Sequence, residues 1–136
     1  MLQRDYIVEL TRRFGEVLSK RLRAAMLDAD PDAIHDLEDA VGNLLDLDGA
    51  TALSLDPDSL VTMMELSGIA DSLAEYVTYA LLRIADAYEA RGSMGIAIAR
   101  RQQAEAICKS FMVKYGHVPE EYRELDAEIA AEKERA

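Results

Sequence analysis

Tyr76 to Ala85 reads YVTYALLRIA, ten residues that are apolar nearly all round, with Arg83 the one charge. A surface helix keeps one polar face, so a helical segment without one is buried on several sides. Extended in both directions, the pattern predicts a helix over about 68–91. It stops at Gly92, which can take the left-handed conformation that closes a helix. We expect this to be the central element, packed between the helix of 2–27 and that of 93–115.

Helical spacing dominates the rest of the chain. Over 2–27 the apolar positions Ile7, Leu10, Phe14, Val17, Leu18, Leu22, Ala25 and Met26 recur every three or four residues, which makes one buried stripe. Ile34, Leu37, Val41, Leu44 and Leu45 repeat the pattern over 31–45. Pro31, Pro57 and Pro119 each sit where a helix can open, because proline lacks only an N–H that has no partner in the first turn. Asp30 and Asp56 precede two of them as N-caps. The spacing predicts six helices, about 2–27, 31–45, 57–66, 68–91, 93–115 and 119–133, with no strand. The fold class is therefore all-α, a compact bundle in one domain of 136 residues. The longest connection, Asp46 to Asp56, is too rich in leucine to be a free linker, and Leu47, Leu53 and Leu55 are expected to pin it to the core.

The charge is uneven. Net charge is −11, yet between Arg23 and Arg83 there are thirteen acids and no Lys or Arg, while residues 1–23 and 83–114 each carry six bases and three acids. In a compact fold the simplest expectation is that the basic flanks neutralise the acidic middle. An acidic face that recruits a basic partner is the alternative, since blocks of like charge mark interaction surfaces. So acidic a chain is not expected to bind nucleic acid or anionic lipid nonspecifically. The longest stretch without a charge, Gly92 to Ala99, has eight residues, whereas a membrane span needs about 20. The start, MLQRDYIVEL, carries Arg4, Asp5 and Glu9 where a secretory signal needs an apolar run, and Cys108 is the only cysteine. A cytoplasmic location is the expectation.

Leu81, Ile84, Ala85, Tyr88, Gly92, Ala97 and Ala104 follow the spacing L‑x2‑I‑A‑x2‑Y‑x3‑G‑x4‑A‑x6‑A. This resembles the tetratricopeptide repeat, a unit of about 34 residues built as an antiparallel helix pair. Small residues let the two helices approach, Tyr88 fills the gap beside them and Gly92 makes the turn. Leu81, Arg101 and Lys109 depart from the family pattern, and no second copy lies 34 residues away in either direction. The resemblance thus implies one tetratricopeptide-like hairpin, about 68–91 and 93–115, inside a compact bundle. Met1, Asp5, Tyr6 and Ile7, together with LDLDGATALSLDPDSL, also resemble a small uncharacterised bacterial family of one-domain helical proteins, which implies a bacterial origin and a tetratricopeptide-like fold and brings no activity with it.

No catalytic triad, phosphate-binding loop or zinc motif can be assembled from His35, His117, Cys108 and their neighbours. Asp28, Asp30 and Asp32 mimic the start of a calcium loop, but Pro31 intervenes and Ala33 stands where glycine belongs. No enzyme, metal or cofactor is expected. Ser72, Glu75, Tyr79, Leu82, Asp86 and Glu89 form a stripe at helical spacing on the central helix. In tetratricopeptide-like proteins the first helix of a pair lines a groove for a partner peptide. By that resemblance Tyr79 and Leu82 are candidate anchors and Glu75, Asp86 and Glu89 candidate charges for a basic amphipathic segment. The competing expectation is that the first helix covers the stripe, pairing these acids with Arg12, Arg13 or Arg21. The function expected is a non-enzymatic protein–protein interaction or self-association module, with a basic protein or peptide, or a second copy in a homodimer, as partner. An acidic regulator that occupies a basic site on another protein is the alternative.

Overall fold

Asp30 and Asp56 take extended backbone, and their side chains accept hydrogen bonds from the backbone N–H groups of Asp32 and Ser59. Each holds open the first turn of a helix whose next residue is proline. A computed structural model, describing residues 2–68 and 70–135, contains α1 (Leu2–Asp28), α2 (Pro31–Leu44), α3 (Gly49–Ser54), α4 (Pro57–Ser67), α5 (Ala70–Ala90), α6 (Met94–Phe111) and α7 (Arg123–Arg135). A short 3-10 turn, Glu120–Tyr122, leads into α7. There is no strand among the described residues, and the architecture is an all-α bundle. None of the helices described is long and apolar enough to cross a membrane.

α5 is central. It forms an antiparallel hairpin with α6, the most extensive pairing in the bundle, and also packs on α2, α1 and α4. Leu73, Val77, Leu81 and Ile84 of α5 meet Leu18 and Leu22 of α1, Ile34 and Leu37 of α2, and Ile107 of α6 in one core. Gly92 closes α5 with φ +81°, and the Ser93 N–H reaches back to the Tyr88 carbonyl.

Four expectations are corrected. A seventh helix, α3, occupies the connection after Asp46; Asp48 caps it by accepting from the Thr51 N–H, and it lies against α2 where Gly42 meets Gly49. Leu53 is buried as expected, but the connection is also held by polar groups, because the buried Gln103 amide donates to the Leu53 and Leu55 carbonyls at 3.0 and 2.9 Å. The helix after Gly92 ends at Phe111, not 115, because exposed Met112 adopts the left-handed conformation and turns the chain so that Val113 and Val118 pack on the core. The last helix starts at Arg123 rather than 119, after the 3-10 turn. The expected start of the central helix at 68 is also shifted: Gly68 caps α4, and Ile69 lies outside the described residues.

Candidate partner-binding site

The stripe on α5 is not an open groove. Tyr79 is 1% exposed and Leu82 is 8% exposed, so neither can anchor a partner in this conformation. Over Tyr79 lies the C-terminal segment, an element the competing expectation did not include. Its ring stacks on Tyr122 with centroids 5.7 Å apart, and its hydroxyl donates to Asp126 Oδ1 at 2.7 Å. Burial, reinforced by that bond, pushes the Tyr79 phenol well above its ordinary pKa. The three acids of the stripe are engaged too, and by none of Arg12, Arg13 or Arg21. Glu75 meets His117 Nε2 at 2.9 Å, Asp86 meets Arg83 and Arg101, and Glu89 meets Arg101 at 2.7 Å.

Arg83, the single charge in the apolar stretch, is the hinge of this arrangement. Its guanidinium lies 5.1 Å from the Tyr79 ring centroid and grips Asp126 with two bonds, Nε to Oδ1 at 2.7 Å and Nη2 to Oδ2 at 3.1 Å. Burial alone would raise the Asp126 carboxyl, but the bonds from Arg83 and Tyr79 outweigh it and hold the pKa below the usual aspartate value. A carboxyl depressed in the folded chain stabilises at pH above its unfolded value, and that stabilisation is lost as pH falls through the folded one. The stability difference between wild type and Asp126→Asn, followed by urea titration, is therefore expected to be largest at pH 7 and to shrink below about pH 4. An equal difference at pH 7 and pH 3 would show that the charge of Asp126 contributes nothing.

Tyr122, Asp126 and Ile129 were not singled out from sequence, although their spacing of four and three is the signal of a helix laying one face on a surface. Around Tyr122 the rings of Phe14 and Tyr76 meet it and each other edge to face, with centroids 6.1–6.2 Å apart.

The neutralisation expected between segments is largely absent. Arg12 and Arg13 pair with Glu9 and Glu16 of their own helix, Arg23 with Glu128 and Glu132, and Arg101 with Asp86 and Glu89. Among the described residues only Arg21, Arg100 and the two histidines pair with acids of the middle, at Asp30, Asp36, Glu38, Asp39 and Glu75. Of its thirteen acids the other eight, Asp28, Asp32, Asp46, Asp48, Asp56, Asp58, Glu65 and Asp71, have no ion-pair partner among the described residues.

Two of those eight border a cleft of about 660 Å³ between α1 and the end of α2. Leu10, Phe14 and Leu44 are its buried apolar lining, while Tyr6 and Leu47 are partly open to solvent. Asp46 and Asp48 stand on the α2–α3 side, opposite Arg13 of α1, which is already paired with Glu9. A shallower depression shares Val17, Ala40 and Asn43 with the cleft and prolongs it along the α1–α2 seam, past Asp36 and Asp39. An elongated trough of mixed polar and apolar lining with acids on one rim can receive a helix or extended segment with apolar and basic faces.

The groups elsewhere are structural in character. Tyr88 donates to Glu38, and burial with that carboxylate pushes the phenol up to about 12. Burial also raises the Cys108 thiol, away from the reactive thiolate form. His35, largely exposed, lies 3.4 Å from Asp39. Among the described residues no group of three His, Cys, Asp or Glu side chains is placed to hold a metal ion. No protein-family profile, curated protein sequence or solved structure matches this chain.

Proposed function

We propose that this protein is a non-enzymatic interaction module, built on a tetratricopeptide-like hairpin, whose α1–α2 cleft takes a basic amphipathic segment of a partner protein. The observation that carries the reading is the cleft itself, a trough of mixed lining rimmed by Asp46 and Asp48 in the part of the chain where acids lack ion-pair partners among the described residues. Contacts with the accessible Tyr6, Val17 and Leu47 supply affinity, and the rim selects for lysine and arginine. This reading puts the binding site on the first helix pair instead of the α5 stripe, where Tyr79 and Leu82 are buried. The same acids serve the alternative reading, an acidic regulator seated on a basic site, in which binding depends on charge alone and not on the trough.

The test uses a synthetic amphipathic leucine–lysine helix as probe, titrated into the full chain by calorimetry. Asp46→Asn and Asp48→Asn are chosen because asparagine tolerates the left-handed backbone at Asp46, φ +56°, and caps a helix nearly as well as aspartate does at Asp48. An exposed ion pair is worth at most about 1 kcal/mol, so each substitution should weaken binding by up to about fivefold with no loss of thermal stability. Tyr6→Ala should weaken binding as well. Binding that responds to the asparagines but not to Tyr6→Ala would favour the charge-only regulator, and binding that responds to neither would place the site elsewhere.

A further inference from the structure

The C-terminal segment differs from the rest of the bundle in how it is held. α2 buries seven of its fourteen residues, whereas α7 buries only Ile129 of thirteen. Between Tyr122 and Arg135 the segment is held at i, i+3, i+4 and i+7 by Tyr122, the half-buried Leu125, Asp126 and Ile129, with Glu128 and Glu132 reaching Arg23 at 3.4 and 3.1 Å. This is how a separate helical ligand lies in a receptor groove.

The receptor side has matching features. α1 and α5 supply the aromatic wall, Phe14 and Tyr76, and two arginines, Arg23 and Arg83, that face the acids of the segment. α1 also supplies Gly15, whose bare backbone faces the Tyr122 hydroxyl, with an added Cβ at an ordinary contact distance of 3.4 Å. The segment is acidic, seven acids against three bases over residues 115–136, so the charge complementarity is real on both sides.

The geometry points to the α1–α5 groove as a second docking site, for an acidic amphipathic helix bearing an aromatic residue, an acid four positions later and an aliphatic residue three beyond that, with residues 117–135 as its resident and displaceable ligand. A helix that buries one residue of thirteen belongs to the low-stability end of a fold and opens without the core opening. When it opens, Phe14, Tyr76, Tyr79, Arg23 and Arg83 become available to a partner helix of the same pattern. This site is chemically opposite to the acidic α1–α2 cleft and shares Phe14 with it.

The test has two arms, both on the full chain. Hydrogen exchange of the wild type should show amides of 123–135 exchanging at least about 100-fold faster than those of 73–88. Equal protection would make α7 part of the cooperative core and overturn the proposal, whatever any variant does. In the second arm a labelled synthetic peptide of residues 117–135 is the probe. Tyr122→Ala/Ile129→Ala, which weakens the resident segment, should bind it at least about tenfold more tightly than the wild type, whose groove is occupied. Asp126→Asn, which keeps both apolar anchors, should fall between the two, and a scrambled peptide should not bind. Equal affinity for all three chains, or none, would overturn the proposal. So would a wild-type dimer that dissociates on adding peptide, since it would show the groove filled by a second copy's segment.

Discussion

Gly42→Ala should destabilise the protein by about 3 kcal/mol in urea titration, the upper part of the usual range for overpacking. The Cβ it adds would sit 2.6 Å from both the Gly49 nitrogen and the Leu47 carbonyl oxygen and 2.7 Å from Gly49 Cα. All three are backbone atoms, so no side-chain rotation relieves the contact. The Gly42 carbonyl also accepts hydrogen bonds from the Leu45 and Leu47 N–H groups, which ties α2 to the same turn. Alanine is the better helix former by only about 1 kcal/mol, so the clash wins. Gly95→Ala is the control: it lies in α6 with nothing within 4 Å of the added methyl, and should be neutral or stabilising by up to about 1 kcal/mol. The consequence reaches function, because moving α3 off α2 moves Asp46, Leu47 and Asp48, one whole side of the cleft. Gly42→Ala should therefore also weaken the leucine–lysine probe. A variant as stable as wild type would mean that the α2–α3 approach is loose.

That close approach explains why α3 could not be read from GATALS. Six residues are too few to show a helical period, and the helix exists because Gly42 and Gly49 let it pack on α2 while Asp48 caps it. By contrast the starts of α2 and α4 were legible, since an aspartate cap followed by proline is a purely local signal. The end of α6 was not, because Met112 has no intrinsic preference for the left-handed conformation and adopts it where the chain turns Val113 and Val118 inward.

The candidate site shows the same division. Helical spacing brings Glu75, Tyr79, Leu82, Asp86 and Glu89 onto one helix, but what covers them depends on residues up to 47 positions away, such as Asp126 on Tyr79. No spacing on α5 encodes that partner. The charge pattern was legible as a pattern, yet its outcome was set by packing: α1 spends Arg12 and Arg13 on its own glutamates, and the acidic middle keeps eight acids unpaired.

Phe14→Ala should cost about 3–5 kcal/mol, the range for deleting a buried phenylalanine. Phe14 is 2% exposed and stands where the two proposed sites come closest. On one side it lines the α1–α2 cleft; on the other its ring meets Tyr76 and Tyr122 edge to face. The void cannot close easily, because Tyr76 is held by its bond to Glu121 and Tyr122 by its stack on Tyr79. A domain is stable by only about 5–15 kcal/mol, so the loss takes a large share of the total. Phe14→Leu keeps much of the volume and should cost less, about 1–2 kcal/mol, while removing both ring contacts. That pair of variants separates packing from ring geometry: if Tyr122 is seated chiefly by the ring contacts, Phe14→Leu will raise exchange across 123–135 while leaving 73–88 protected. If exchange rises equally in both stretches, Phe14 supports the core as a whole and has no particular role in holding the C-terminal helix.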